Sequence, residues 1–327
     1  MRHAAFSLLA RMMPLVFGTA GKQRLSILIY HRVVAEFDPM RPAEPTREIF
    51  DWQMGLVRQY FNPLSLLEAL DKLDSGNLPD RAICVTFDDG YADNELHAMP
   101  ILRKHAVPAT VFVSTGFLNG GRMWNDSLIE FFRGFKGDSL DLSELGLGRH
   151  DTASMGARLS SAERVIGEIK YLDPAKRVQL VEQIQGRSKG EGLPDDLMMT
   201  DAQVRSLASN GVSIGAHTVN HPILASVTDE VAQREIQDSK TILESVLQRS
   251  VDVFAYPNGR PGDDYRQEHV AMVRSLGFRA AVSTHWGVSD RENDRYQLPR
   301  FTPWDKQPLR FAGRLLSNYR EIGIPVL

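Results

Sequence analysis

Six short runs of apolar residues punctuate the chain: LSILIYH (25–31), AICVTF (82–87), ATVFVS (109–114), GVSIGAH (211–217), VDVFAY (251–256) and FRAAVS (278–283). Most are nearly continuous in apolar residues rather than alternating, the pattern of strands covered on both faces. Helical periodicity fills the intervals. REIFDWQMGLVRQYF (47–61) puts Ile49, Phe50, Met54, Val57 and Phe61 on one stripe. Segments 65–76, 229–249 and 268–278 repeat that pattern, with Gly76 and Gly277 as stops. Strand and helix therefore alternate, which predicts an α/β fold with a mostly parallel sheet joined by right-handed crossovers. The pattern alone does not separate a closed barrel from an open sheet. Residues 115–208 depart from it: they contain helical candidates at 124–135, 161–170, 175–187 and 200–209 and no convincing strand. They read as a helical insertion between two core strands rather than a separate domain.

Composition narrows the class. With 43% hydrophobic and 24% charged residues over 327 positions, a sizeable core is accessible and wholesale disorder is excluded. The net charge of -3, with no GxxxxGK loop and no basic-aromatic array, argues against nucleic acid as a partner. The single Cys84 lies inside an apolar run and reads as a buried structural thiol. The N-terminus begins with positive charge and is apolar from Ala4 to Phe17, but Arg11 interrupts it well short of a membrane span. Three readings stay open for residues 1–24: a helix packed on the domain, which leads, a helix lying at a membrane surface, or a weak export signal. A cytoplasmic or membrane-peripheral location is accordingly preferred over export, with peripheral membrane association through the N-terminus left open.

Two strand ends carry candidate chemistry. TFDDG (86–90) places Asp88 and Asp89 side by side where an apolar strand stops, at the edge where α/β proteins build sites. Two such acids more often only cap a turn. GAHTVNHP (215–222) changes that balance: it follows another strand and spaces His217 and His221 by four residues, which on a helical turn would face both imidazoles to one side. Two histidines and one aspartate give a borderline cation three protein ligands and leave a position for water; zinc suits the set. The second acid then stays free to take a proton from that water.

These residues resemble the polysaccharide deacetylase family, the NodB-homology or carbohydrate esterase family 4 domain. TFDDG is similar to its first motif and HTVNHP (217–222) to its second; IYHRV (29–33) resembles a bacterial subgroup tied to surface polysaccharides. The resemblance implies a distorted, incomplete (β/α) barrel of about seven strands. It also implies Asp88 as catalytic base, Asp89, His217 and His221 as ligands of one divalent metal, most simply Zn2+, and removal of acetyl groups from an N-acetylated oligo- or polysaccharide. It runs from about residue 25 to 303, so the chain divides into an N-terminal segment 1–24, a catalytic domain 25–303 interrupted by the insertion 115–208, and a C-terminal tail 304–327 packed on the domain.

The departures set further expectations. FAYPNG (254–259) is similar to the third motif, commonly Phe-Arg-Pro-Pro-Tyr-Gly, but Ala255 stands where the arginine that orients the base usually does. Arg32 and Arg300 are the candidate replacements, and the backbone around Tyr256 is the expected source of an oxyanion donor. The family's final Leu-x-His, whose histidine protonates the leaving amine, is absent; His285 is preferred to His31 as its substitute. Trp286 and Asp290 do not match the fourth motif cleanly. Trp124, at the start of the insertion, either stacks on a sugar or anchors a helix. Two rivals share this site: a metal hydrolase acting on another amide, and a saccharide-binding protein with degenerate catalytic machinery, the latter motivated by Ala255 and the missing histidine.

Overall fold

The computed structural model describes residues 23–187 and 192–319. The expectations for the N-terminal segment fall almost entirely outside the described residues. All six predicted strands are present, as β1 (Leu25–Tyr30), β3 (Ala82–Phe87), β4 (Ala109–Val113), β7 (Ser213–Ala216), β8 (Val253–Ala255) and β9 (Ala280–Val282). They pair in parallel in the order β1-β3-β4-β7-β8-β9, and a two-residue β2 (Asn62–Pro63) joins β3 as a seventh strand. Every residue of β1 and β3 is buried, as their nearly continuous apolar runs lead one to expect.

The sheet curls into an incomplete barrel. Residues 298–301 run along the gap between the last and first strands without forming a regular strand. Leu298 N–H donates to Ala281 O at 3.0 Å, Phe301 N–H to Ile27 O at 2.7 Å, and Ile29 N–H to Phe301 O at 3.0 Å. This irregular stave carries Arg300 into the barrel.

Helices pack outside as the periodicity predicts: α1 (Arg47–Tyr60), α2 (Leu66–Asp74), α8 (Asp229–Leu247) and α9 (Gln267–Ser275). Thr46, Ser65 and Thr228 cap three of them by accepting a backbone N–H. The periodicity gave no sign of α3 (Met99–His105), which follows a single π-helical turn at Asn94–Ala98. Nor did it show α10 (Pro308–Asn318), whose Phe311, Leu315 and Leu316 enter the main core.

The insertion contains α4 (Trp124–Gly134), α5 (Met155–Ile169) and α6 (Pro174–Gln185), and these pack around an apolar cluster of their own. The expectation that it lacks strands is corrected: β5 (Ser139–Leu142) and β6 (Gly148–Asp151) form an antiparallel hairpin. SLDL alternates over only four residues and GRHD has no aliphatic side chain, so neither announces a strand. Leu140 and Leu142 make the hairpin by packing into the insertion core. The interval's last helix, α7 (Asp201–Ser209), sits with the barrel, since Val204 and Leu207 belong to the main core.

The barrel interior depends on one missing side chain. A Cβ on Gly215, in β7, would lie 2.6 Å from Phe112 Cε1 and 3.0 Å from Val253 Cγ2. Gly215→Ala is therefore expected to destabilise the protein by about 1–3 kcal/mol through overpacking, read as a lowered urea midpoint at unchanged slope.

Candidate active site and metal centre

β3 ends by handing both acids to the rim of the barrel. Asp88 N–H still donates to Tyr30 O at 2.9 Å, so Asp88 is held in register. Asp89 then takes a left-handed φ of 74°, and Gly90 continues the turn at 88°. The left-handed region costs a non-glycine residue about 1–2 kcal/mol and Asp less than most. Here it turns the chain so that consecutive carboxyls both stay at the site, 2% and 6% exposed.

The histidine spacing is realised differently from expectation. Residues 217–221 form a loop, not a helical turn, with φ of 63° at Thr218 and 52° at His221. Glu235 on α8 fixes this loop by accepting the Val219 and Asn220 N–H groups at 2.9 and 2.8 Å. Thr218 Oγ1 accepts the His221 N–H at 3.1 Å. The two imidazoles lie 4.7 Å apart, centroid to centroid.

Asp89, His217 and His221 converge. Asp89 Oδ1 is 3.5 Å from His217 Nε2 and 3.4 Å from His221 Nε2. These separations are long for hydrogen bonds, and Asp89 Oδ1 is buried without a partner. Such an orphan costs about 1–3 kcal/mol. Ligand atoms about 2.0–2.1 Å from a tetrahedral cation stand about 3.4 Å from one another, so the spacing suits a small ion. His217 Nδ1 lies 2.7 Å from Ala255 O, which makes Nδ1 the donor and leaves the Nε2 lone pair facing the acids. The three residues thus fit a borderline divalent cation.

Asp88 is committed elsewhere. Arg300 Nη1 and Nη2 donate to its two oxygens at 2.7 Å each. Arg300 is 1% exposed, and its Nε donates to Ser283 O at 2.7 Å and its Nη1 to Thr86 Oγ1 at 3.2 Å. Of the two candidate replacements for the absent arginine, Arg300 reaches Asp88, while Arg32 pairs with Asp93 at 2.7 Å. The charges follow this wiring. Burial pushes both acids upward, yet Arg300 and His217 hold Asp88 below the usual carboxylate range, and His217, His221 and His31 hold Asp89 far below it. Burial pulls His221 down to about 4. It pulls His217 the same way, but the two carboxylates more than offset it and leave His217 raised.

The cluster opens into a cavity of about 490 Å³. The family profile described as Polysaccharide deacetylase matches residues 75–133 and 177–281, just over half of the chain. The chain belongs to the polysaccharide deacetylase family. It is 22% identical to YxkH of Bacillus subtilis (strain 168), which bears the same family name, over 284 residues, 86% of this chain and 72% of that one. IcaB from Ammonifex degensii superposes with a TM-score of 0.60 at 19% identity, covering 91% of this chain and 97% of that one. The Streptococcus pyogenes deacetylase PplD, solved in complex with acetate, superposes with a TM-score of 0.57 at 22% identity, covering 85% and 92%. These likenesses establish the incomplete deacetylase barrel.

Within this polysaccharide deacetylase barrel the remaining candidates separate. His31, Arg32 and Trp124 line the cavity. His285 does not; its carbonyl accepts the Arg300 N–H at 2.8 Å, and its neighbour Thr284 is the residue at the wall. Of the backbone around Tyr256, that residue's own N–H donates to Val282 O at 3.2 Å, and its fully buried ring stacks on Tyr265 at 3.9 Å. Two residues on, Asn258 does line the cavity, with a φ of 58°. It occupies the tyrosine's place in the third motif, and aligning FAYPNG position by position would have found it. Trp124 is half-buried in the insertion, with the Arg177 guanidinium 4.7 Å over its ring. Glu44 and Trp304, which the sequence did not single out, also reach the cavity.

Arg300→Met strands a buried carboxylate and is expected to cost about 3–5 kcal/mol of stability. Pairing it with Asp88→Asn recovers part of that loss. Urea denaturation of the two singles and the double closes the cycle.

Proposed function

We propose that this chain is a metal-dependent N-deacetylase that hydrolyses the acetamide of an N-acetylated saccharide, releasing acetate and a free amino sugar, in the modification of a surface or exopolysaccharide. One arrangement carries the proposal: a carboxylate ionised at neutral pH and gripped by Arg300, beside an Asp-His-His set fitted to a cation. Asp89, His217 and His221 would hold the ion, most simply Zn2+. When bound, such an ion polarises a carbonyl and lowers the pKa of water.

The protein's own groups supply the rest. Asp88 is the base. Arg300 engages both its oxygens, but each carboxylate oxygen keeps a second lone pair, and Asp88 Oδ2 lies 4.0 Å from His217 Nε2, on the side of the ligand cluster. Asp89 is unsuited to that role, because its Oδ1 belongs to the cluster. His31 is the candidate proton donor to the departing amine, because it lines the same cavity as Asp88 and Asp89. This reverses the preference for His285. The backbone at Asn258 is the candidate oxyanion donor, since no hydrogen bond among the described residues engages its N–H. PplD was solved with acetate, the product this reading requires. The degenerate-site alternative rested on Ala255 and the missing histidine; Arg300 and His31 offer a replacement for each.

Acetate release from N-acetylated oligosaccharides, with and without added Zn2+, tests the reading. Asp88→Asn is expected to keep metal binding and lose about 10²–10⁴-fold in kcat/KM. His217→Ala is expected to lose the metal itself, measured by metal content after dialysis. His31→Gln should lower kcat by about 10²-fold, whereas His285→Gln should stay within about twofold of wild type. Full activity in Asp88→Asn would remove the base assignment.

A further inference from the structure

Trp304 is 61% exposed, an unfavourable place for the largest apolar side chain. Several other large apolar residues are exposed among the described residues, including Phe37, Leu96 and Leu309, but of these exposed residues Trp304 alone lines the catalytic cavity. Its ring is also held. The Arg314 guanidinium stands 5.5 Å from its centroid and is fixed in turn by Asp305 at 2.7 Å. The Trp286 ring lies 6.3 Å away. The same guanidinium sits 5.1 Å from Trp286 and 5.2 Å from Phe301, so the rings share one rigid mount. Lys306 donates to Pro42 O and lies 5.5 Å from the Phe37 ring, tying the opposite lip of the rim to the Trp304 segment.

The chain also fixes how far this ring is from the chemistry. Trp304 follows Arg300 by four residues, a reach of at most about 14 Å, and Arg300 holds the proposed base. Trp124 is a poorer platform, because it is half-buried and packs against the insertion core. A rigid, exposed, electron-rich ring beside a cavity for an acetamide matches the apolar C–H face of a pyranose.

The geometry points to Trp304 as the stacking platform for the sugar adjacent to the one whose acetamide enters the Asp88–His217 pocket. This rests on the deacetylase reading and adds a length preference to it: two or more linked sugars bind better than one. Trp304 is a positioning residue here, since it touches a sugar that does not react.

The test uses N-acetylglucosamine and its β-1,4-linked tetramer as probes. Dissociation constants by calorimetry, and the intrinsic tryptophan fluorescence, are compared for wild type, Trp304→Ala and Trp304→Phe. Trp304→Ala is expected to weaken the tetramer about tenfold more than the monomer, and Trp304→Phe to restore most of the difference. An unchanged tetramer-to-monomer ratio in Trp304→Ala overturns the platform. So does an equal loss for both probes, no tetramer binding by wild type, or Trp304-dependent binding to anionic phospholipid vesicles without any effect on the tetramer. Acetate release measured alongside separates the two claims. Tetramer binding that needs Trp304 without acetate release supports the platform and removes the deacetylase reading. Acetate release indifferent to Trp304 does the reverse.

Discussion

The barrel and its site share one buried ion pair. Arg300 and Asp88 are each almost wholly out of water, and removing two charges from water costs several kcal/mol per ion. The pair is tolerable because the planar guanidinium satisfies four acceptors at once: two carboxylate oxygens, Thr86 Oγ1 and Ser283 O. Those acceptors come from β3, from the turn after it and from the turn after β9. Thr86 Oγ1 in turn donates to Leu28 O in β1 at 2.7 Å. The guanidinium therefore joins the two margins of an incomplete sheet at the point where the candidate base must be held still. Its net contribution to stability is modest; its contribution to geometry is large, because a bidentate fork fixes both the position and the rotation of the carboxylate.

Around that pair the rim is made of strained turns. Asp89, Thr218, His221 and Asn258 are four of the nine non-glycine residues with positive φ among the described residues, and all four lie at the site or in its ligand loop. Regular strands would carry alternate side chains to opposite faces. The left-handed residues break that alternation and let neighbouring side chains serve one cavity. The cost is offset locally: Glu235 accepts three N–H groups from the ligand loop, and Thr284 Oγ1 donates to Asn258 O at 2.6 Å. Strain gathered at one rim and held by fixed partners is the pattern of a preorganised site.

This division explains what the sequence could and could not disclose. The strands were legible because a strand buried on both faces is mostly apolar, and β1 and β3 are, each with one hydroxyl residue, Ser26 and Thr86. The Asp89–His217–His221 cluster was legible because its residues sit within five positions of strand ends. The His217–His221 spacing was noticed for a helical reason and realised by a loop; the distance survived although the conformation did not. Arg300 stands 212 positions from Asp88, and its reach depends on residues 298–301 bridging the gap between β9 and β1, which no local pattern encodes. The β5–β6 hairpin was hidden for the opposite reason, since four-residue strands carry too little periodicity to register. The backbone around Tyr256 was named from the motif, but which N–H of that turn stays free depends on the bond from Tyr256 N–H to Val282 O, which no local pattern shows.

Ala255 shows why a departure from a family pattern need not be a loss. Its side chain is fully buried against Phe112, and the Arg300 guanidinium lies 5.9 Å from the same Phe112 ring. An arginine at 255 would bring a second cation toward a carboxylate whose oxygens are already engaged by Arg300, in a site largely closed to water. A small residue at 255 and a guanidinium from 300 are therefore one solution, not a deletion and an unrelated addition. Ala255 keeps a separate task through its backbone, since its carbonyl sets the His217 tautomer. Position 255 thus orients His217, a candidate ligand, and the orientation of the acid comes from the other end of the domain. The constraint is one of space, one cation against one buried carboxylate, and here the cation comes from the segment that bridges β9 and β1.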